Sequence, residues 1–303
     1  MQNKYEKICF CSSFYESGRK FIPDYFEYLQ DAVADFGMDV NLCIALDDLK
    51  KPLTTLSKYE KDIEIRVSFG SRSESISVIR GRMVEHAILS GADVLIFIDM
   101  DDCASKLCIS EHLNALEDAD ISFGDMRLVN QKNQSMKMNL FDGYEVPEKI
   151  KSVSDISRGN CLGFSNTAIK TNKIKLSDCL IPSHLVASDW WFFRNLISRG
   201  FSARRTKGIV AHYRQHNDNI LGALPAVNVD ALEAKCRILI DHLESFSSCD
   251  EDLQWIEKTK LLSDLCIQNP QYINYLLDEN EDRGMVWFGD VFKIASLIDD
   301  GLM

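Results

Sequence analysis

The chain has 303 residues, of which 46% are hydrophobic and 26% charged, and its formal net charge is −12. This composition excludes a disordered or fibrous chain and is enough for one large domain or two modest ones. The acidity argues against a broad binding surface for nucleic acid or for an anionic membrane. No purely apolar run is longer than residues 94–98, far short of the roughly 20 residues that cross a bilayer, so no transmembrane segment is predicted.

The cysteine pattern and the N-terminus both favour a cytoplasmic protein. The ten cysteines have no Cys-x-x-Cys spacing, and several lie in apolar, strand-like runs. We therefore expect buried free thiols rather than disulfides or a zinc site. The N-terminal segment has neither the apolar core nor the cleavage site of a signal peptide. A partner could still hold the protein at the inner face of the membrane.

The first third of the chain alternates between strand and helix patterns. Strands are predicted at residues 8–11, 40–46, 63–67 and 94–98, and helices at about 23–37 and from the Ser71–Glu74 capping-box spacing to the stop at Gly91. The wholly apolar run 94–98 indicates a strand covered on both faces, as in a parallel sheet between helices. Ligands bind beyond the carboxyl ends of such strands. The Asp47-Asp48 pair and the Asp99 cluster should therefore lie along one edge.

The remaining chain divides into two parts. Residues 120–146 predict short antiparallel strands, and residues 188–199 predict a helix that ends at Gly200. Residues 226–302 are mostly helical in pattern, and much of the net acidity lies in them. We place a domain boundary near residue 222, between a domain at 1–222 and a helical extension at 223–303.

The strongest local signal is the sequence Asp99-Met100-Asp101-Asp102, which follows a predicted buried strand. Carboxylates so close together repel one another unless a cation neutralises them. Alternate oxygen ligands suit Mg²⁺ or Mn²⁺, which keep coordination positions open for diphosphate oxygens. The alternative is a solvated acidic turn that caps a helix beginning near Ser105.

Two further segments carry groups capable of chemistry. Asp189 begins a predicted helix in Ser188-Asp189-Trp190-Trp191, where it is either a helix-capping carboxylate or a reactive one. The two tryptophans suit either a core or stacking on sugar rings. His216 follows a predicted strand in a loop that could reach a metal and a diphosphate held elsewhere, whereas the His212/His216 pair is weak as a zinc motif.

Taken together, these segments resemble family 2 glycosyltransferases of GT-A fold, of the type that builds bacterial surface polysaccharides. The resemblance rests on residues 70–102, which include Arg80-Gly81-Arg82 and the Asp99 cluster, on 188–194 and on 213–222. It extends over about residues 7–222. It implies an α/β fold with a Rossmann-like mixed sheet flanked by helices. Residues 1–222 would then be the nucleotide-sugar-binding and catalytic domain, followed by the acidic helical extension.

The resemblance also implies residue roles. The donor, a nucleotide-diphosphate sugar, would be held by Ser12, Phe14, Glu16, Asp47, Asp48, Arg80, Asp99 and Arg214. Asp101 and His216 would hold Mn²⁺ or Mg²⁺, and Asp189 would be the general base of an inverting transfer. The acceptor would be a hydroxyl of a glycan or lipid-linked glycan.

Other interpretations stay open at this point. An Asp-x-Asp phosphotransferase would use Asp99 as nucleophile, although such a strand is usually the first of its domain. A non-catalytic relative would bind nucleotide or glycan without transfer. The extension could pack on the catalytic domain, form a homodimer or dock on a partner, and the sequence does not specify the sugar, the nucleotide or the acceptor.

Overall fold

A ten-stranded mixed sheet organises the protein. The computed structural model describes residues 5–34, 39–47, 56, 63–70, 74–157, 159–216, 224–246, 250–280 and 287–301. Within these ranges the strands are β1 Lys7–Tyr15, β2 Asp39–Asp47, β3 Glu64–Phe69, β4 Val94–Phe97, β5 Cys103–Ala104, β6 Ile121–Val129, β7 Ser135–Asn139, β8 Lys149–Ile150, β9 Thr167–Lys170 and β10 Ala203–Arg214. The helices are α1 Ile22–Val33, α2 Ile76–Leu89, α3 Cys108–Leu116, α4 Ser188–Ser198, α5 Val229–Glu244, α6 Asp250–Gln268, α7 Pro270–Glu279 and α8 Gly289–Gly301.

The strand order places the carboxyl ends of three parallel strands side by side. The sheet runs β3-β2-β1-β4-β9-β6-β10-β5, with β7 beside β6 and β8 beside β10. β1 pairs in parallel with β2 and β4, and β2 with β3, whereas β9 is antiparallel to both β4 and β6. The predicted α/β fold with a mixed sheet flanked by helices is confirmed, and the ends of β2, β1 and β4 form the predicted edge.

The predicted buried strands are confirmed. Ile8, Phe10, Val94 and Ile96 are fully buried, because helices cover both faces of the sheet at β1 and β4. The observed β1 is longer than the predicted run and continues through polar residues to Tyr15. These residues carry β1 to the edge where the carboxylates lie.

The predicted helix ends are confirmed in part. Gly91 and Gly200 follow α2 and α4 with φ of +77° and +87°, the left-handed conformation in which glycine is favoured. At the start of α2 the N-cap is Ser75, without a side-chain cap bond. Glu74 forms an ion pair with Arg82, and Ser71 lies outside the described residues.

The C-terminal extension is helical, as predicted, and packs against α4. The indole of Trp190 is stacked between His242, at 4.1 Å between ring centroids, and Phe288, at 5.4 Å. Arg194 of α4 bonds Asp252 of α6 at 2.5 Å, with both side chains at most 1% exposed. β10 ends at residue 214 and α5 begins at residue 229, so the proposed boundary at 222 lies outside the described residues.

The described cysteines and helices bear on the predictions of free thiols and of no transmembrane segment. Nine cysteines lie in the described ranges, and all nine are buried and free, as predicted for those positions. No helix in the described part of the chain is long and apolar enough to cross a bilayer.

Candidate functional site

A cavity of about 610 Å³ opens at the carboxyl ends of β1, β2 and β4. This is within the size range of small-ligand sites. Among the described residues, six acidic side chains line it together with the guanidinium of Arg80, namely Glu16, Asp47, Asp99, Asp101, Asp102 and Asp189. The cavity wall is therefore strongly acidic, with one cation set among the acids, and it would attract cations and hydroxyl groups.

Arg80 links three elements around Asp99. Its Nη2 lies 2.6 Å from Asp99 Oδ2, and its Nε and Nη1 lie 3.3 Å from Ser13 Oγ and Ser188 Oγ. Burial raises the pKa of Asp99 to about 6, with Arg80 opposing the rise and Asp101 adding to it. Burial lowers the pKa of Arg80, but the facing carboxylates Asp99 and Asp189 outweigh it and raise that pKa above its ordinary value.

Asp101 lines the cavity and contacts His216, which is not among the lining residues. Asp101 Oδ2 lies 2.9 Å from His216 Nε2, and the side chains are 12% and 1% exposed. The His216 ring also packs on Phe21, with 5.1 Å between centroids. Tyr15 also interacts with Asp101, and burial together with that carboxylate raises the pKa of the Tyr15 phenol. The carboxylate therefore faces the cavity with the imidazole behind it.

Asp102 is a buried member of the cluster. It is 1% exposed and accepts the Arg214 N–H at 2.8 Å. Burial and the neighbouring Asp101 raise its pKa well above the ordinary range, against bonds from Ser165 and the Arg214 backbone. Asp102 thus connects the acidic segment to β10 and to the loop before β9.

Asp189 lies in the first turn of α4, where the helix dipole favours a negative charge. Its carboxylate accepts the Trp190 N–H at 2.7 Å and a backbone bond from Phe164. Burial raises its pKa, whereas Arg80 and these backbone bonds lower it. The structure therefore holds Asp189 in one orientation at the cavity and favours proton uptake more than in an exposed carboxylate.

The side chains near the end of β1 point alternately towards the cavity and away from it. Ser13, Tyr15 and Glu16 line the cavity. Ser12 and Phe14 are fully buried, and Phe14 packs on Tyr25 of α1, with 5.4 Å between ring centroids. Because successive side chains of a strand point to opposite faces, the pocket-facing positions are Ser13 and Tyr15, each one residue beyond the predicted Ser12 and Phe14.

Asp47 and Arg214 differ in their access to the cavity. Asp47, predicted as a nucleotide contact, ends β2 beside Tyr15 and lines the cavity; Asp48 lies outside the described residues. Arg214 is 1% exposed and is not among the lining residues. Its guanidinium bonds the Asp101 carbonyl at 2.8 Å and the Asp24 carboxylate at 3.0 Å. These bonds hold the backbone of the acidic segment from behind.

Several lining residues were not identified from the sequence. Asn160, Phe164 and Ser165 belong to a loop that precedes β9, which Asn166 holds through bonds to the carbonyls of Gly124 and Cys161. Tyr213 comes from β10, and Trp287 and Phe288 come from the extension. The glycines and asparagines at 159–166 are a turn signal for the loop, but no local pattern connects residue 287 with Asp189.

The capacity for metal binding rests on few side chains. Among the residues that the structure describes, no three His, Cys, Asp or Glu side chains converge as a ligand set. Asp101 and His216 are two adjacent side chains that could bind one ion. Mg²⁺ and Mn²⁺ suit such a site, because these ions are commonly bound by one or two carboxylates together with substrate phosphates and water.

The fold is similar to that of glycosyltransferases of known structure. No protein-family model and no curated protein sequence matches the chain. Residues 1–349 of S. aureus TarS in complex with UDP-GlcNAc superpose with a TM-score of 0.58 at 13% identity, over 89% of this chain and 75% of that one. Mannosyltransferase PcManGT from Pyrobaculum calidifontis, in complex with GDP-Man and Mn²⁺, gives 0.53 at 9% identity, over 99% and 80%. At identities this low, the superpositions establish a shared fold and nothing finer.

Proposed function

We propose that this chain is a metal-dependent, inverting glycosyltransferase of family 2. It would move a sugar from a nucleotide-diphosphate sugar to a hydroxyl of a glycan or lipid-linked glycan, in the synthesis of a bacterial surface polysaccharide. One observation carries the proposal: Asp99, Asp101 and Asp189 line one cavity at the carboxyl edge of a glycosyltransferase-like sheet. The similar structures with UDP-GlcNAc and with GDP-Man and Mn²⁺ support a nucleotide-sugar donor.

The donor would lie across the β2 and β1 side of the cavity. Asp47, Tyr15 and Glu16 line that side, and Asp47 or Asp48 would contact the base or ribose. The diphosphate would lie at Asp99 and Asp101, beside Arg80. Since Arg80 already bonds Asp99 at 2.6 Å, it holds the Asp99 carboxylate in place and offsets part of the negative charge on this wall.

Asp101 and His216 would hold the divalent ion together with diphosphate oxygens. Mg²⁺ or Mn²⁺ bound there would neutralise the diphosphate of the leaving nucleotide. Arg214 supports this site from behind through the Asp101 carbonyl, and we assign it to positioning of the acidic segment. Ser12 and Phe14 would likewise act through the packing of β1.

Asp189 would act as the general base. Its carboxylate takes the proton from the acceptor hydroxyl as that oxygen bonds the anomeric carbon, and the bond from that carbon to the diphosphate oxygen breaks. The single displacement inverts the anomeric configuration. The raised pKa of Asp189 suits a base, because proton transfer is most efficient when the pKa approaches the working pH.

The contacts of Asp99 favour glycosyl transfer over phosphotransfer. A nucleophilic aspartate needs an oxygen that can attack phosphorus. Asp99 Oδ1 accepts the Ser13 N–H at 3.3 Å and Oδ2 accepts from Arg80. Each oxygen thus accepts a hydrogen bond that holds the carboxylate in place, which suits a structural and electrostatic role.

Donor turnover tests the proposal. Purified protein is mixed with UDP-, GDP-, CMP- and dTDP-linked sugars, with Mn²⁺, with Mg²⁺ or with chelator, and release of the free nucleotide is measured. We expect metal-dependent release from one donor class and a roughly 100- to 10,000-fold loss in Asp189→Asn. The nucleotide-induced rise in melting temperature should be kept in that variant.

Asp31→Asn, an exposed change on α1, is the matched control and should behave as wild type. Binding without turnover in the wild type would favour a non-catalytic relative. If the protein neither binds nor turns over any of these donors, the proposal is refuted.

A further inference from the structure

Two aromatic side chains of the C-terminal extension form part of the cavity wall. Trp287 and Phe288 lie just before α8 and line the same cavity as Asp189. Both are largely buried, at 7% and 1% exposure. The extension therefore contributes directly to the candidate active site, in addition to packing behind it.

Trp287 is held in place from several directions. Its Nε1–H donates to Tyr213 Oη at 3.1 Å, and the two rings lie 5.7 Å apart at 61°. Its backbone forms a bridge with Asn160. A Cβ built on Gly163 would lie 2.7 Å from Cη2 of the indole, so glycine there permits the close approach of the ring.

Phe288 connects this aromatic wall to the proposed base. Its φ is +66°, a conformation that bulky residues rarely adopt. Such backbone conformations persist only where the surroundings enforce them. The ring stacks on Trp190, the residue that follows Asp189, at 5.4 Å and 30°. The wall is thus coupled to the start of α4.

The position of the wall indicates which substrate it would meet. Asp47 on β2 marks one side of the cavity, whereas Tyr213 belongs to β10, beyond β4 in the sheet order. Trp287 bonds Tyr213 and forms a backbone bridge with Asn160, so these two lie on the same side as Tyr213. The proposed donor nucleotide occupies the first side. The second side adjoins Asp189, where an acceptor hydroxyl must come to lose its proton.

We infer that Trp287 forms part of the acceptor subsite, where the C–H groups of a carbohydrate ring pack on the part of the indole that lines the cavity. This inference rests on the proposed function. Flat aromatic faces bury apolar area, and the polar groups of Asn160 and Tyr213 beside the indole suit the hydroxyl groups around a sugar ring. Trp287 is thereby a determinant of acceptor specificity.

Glycoside binding tests the inference. Saturation-transfer difference NMR is recorded with methyl glycosides of glucose, galactose, mannose and N-acetylglucosamine, in the presence of the diamagnetic ion Mg²⁺ and UDP or GDP. We expect the wild type to transfer saturation to the ring protons of at least one glycoside. Trp287→Ala should bind it about five- to tenfold more weakly, and Trp287→Phe should keep most of the affinity.

Two further variants distinguish loss of the indole contact from a folding defect. Gly163→Ala keeps Trp287 but places a methyl group against its ring, and it should also weaken glycoside binding. Trp255→Ala removes another tryptophan of the extension, which packs on Phe292 at 4.8 Å, and it should bind glycoside as the wild type does. All variants should keep the nucleotide-induced melting shift.

The outcomes separate this inference from the proposed function. Equal glycoside binding by wild type and Trp287→Ala, or no binding of any glycoside by the wild type, would overturn the acceptor subsite even if donor turnover is found. Glycoside binding that depends on Trp287, without any donor turnover, would retain the carbohydrate subsite and reject the transferase.

Discussion

Asp101 Oδ2 and His216 Nε2 lie 2.9 Å apart, although 115 positions separate the two residues in the chain. The connection is made by β5, which follows the acidic segment and pairs antiparallel with β10 through Ala104 and Ala211. This short pairing brings the end of the acidic segment beside the end of β10. The predicted metal ligands thus meet even though β4 and β10 are not neighbouring strands.

Removing either partner should weaken metal-dependent donor binding. Asp101→Ala should abolish the extra melting-temperature rise that Mn²⁺ gives in the presence of nucleotide. His216→Ala should lower the apparent metal affinity at least about 10-fold, because loss of a ligand should cost no less than loss of a group that only orients one. Titration of Mn²⁺ at fixed nucleotide measures both effects.

His212→Gln is the matched control, because the His212 ring packs on Tyr28 at 5.6 Å, whereas His216 is the histidine that contacts Asp101. An unchanged metal titration in both Asp101→Ala and His216→Ala would exclude this pair as the metal site.

The pH dependence of turnover should reflect the raised pKa of Asp189. A protonated carboxyl cannot accept the acceptor proton, so kcat/KM should fall as the pH drops through the pKa of Asp189. Because burial raises that pKa, the acid limb should lie above the value of about 3.9 for an exposed aspartate. Arg80→Met removes a charge that lowers the pKa of both Asp189 and Asp99, and should move the limb to higher pH.

Arg66→Met supplies the comparison, since Arg66 forms an exposed pair with Glu64 on β3. A limb that stays in place or moves to lower pH in Arg80→Met would contradict the assignment.

The buried ion pair between α4 and the extension should be important for stability. Arg194 and Asp252 are at most 1% exposed, and Arg194 Nε and Nη1 find no hydrogen-bond partner among the described residues. Asp252→Ala leaves the guanidinium buried without its counter-charge, and should lower the free energy of unfolding by about 3 to 5 kcal/mol. Urea unfolding measures the loss.

Glu244→Ala breaks the exposed pair with Lys260 in the same extension and should change stability by only about 0 to 1 kcal/mol. Equal effects of the two substitutions would show that burial of the Arg194–Asp252 pair is without consequence.

His112 should make folding sensitive to acid. It is fully buried, with Nδ1 2.8 Å from Ser122 Oγ, and burial lowers its pKa from 6.5 to about 3. Below pH 6.5 the unfolded chain binds a proton that the folded chain excludes. The free energy of unfolding should therefore fall as the pH decreases from about 6.5 towards 3.

His112→Gln should reduce this pH slope, measured by urea unfolding at several pH values. The exposed His86 provides the control, because His86→Gln should leave the slope unchanged. A slope that is the same in wild type and His112→Gln would contradict a neutral buried His112.

Much of the sheet and part of the site follow from local sequence patterns. The apolar run that forms β4 predicts a buried parallel strand, and the acids that follow it must then emerge at a carboxyl edge. The Ser188-Asp189 pair similarly predicts a helix start with a carboxylate in its first turn. Both predictions depend on residues close together in the chain, so the physical preferences of strands and helix ends suffice.

The tertiary structure decided the rest. Successive side chains of a strand point to opposite faces, but the strand pattern does not say which set faces the cavity. The packing of Phe14 on α1 determines that Ser13 and Tyr15 do. Arg214 lies in the segment for which the resemblance implied a donor contact, yet its buried guanidinium bonds the Asp101 carbonyl instead. Trp287 reaches the cavity from a distant part of the chain because the extension packs on α4. Contacts between distant segments have no local sequence signal, since they depend on how several apolar faces are buried together.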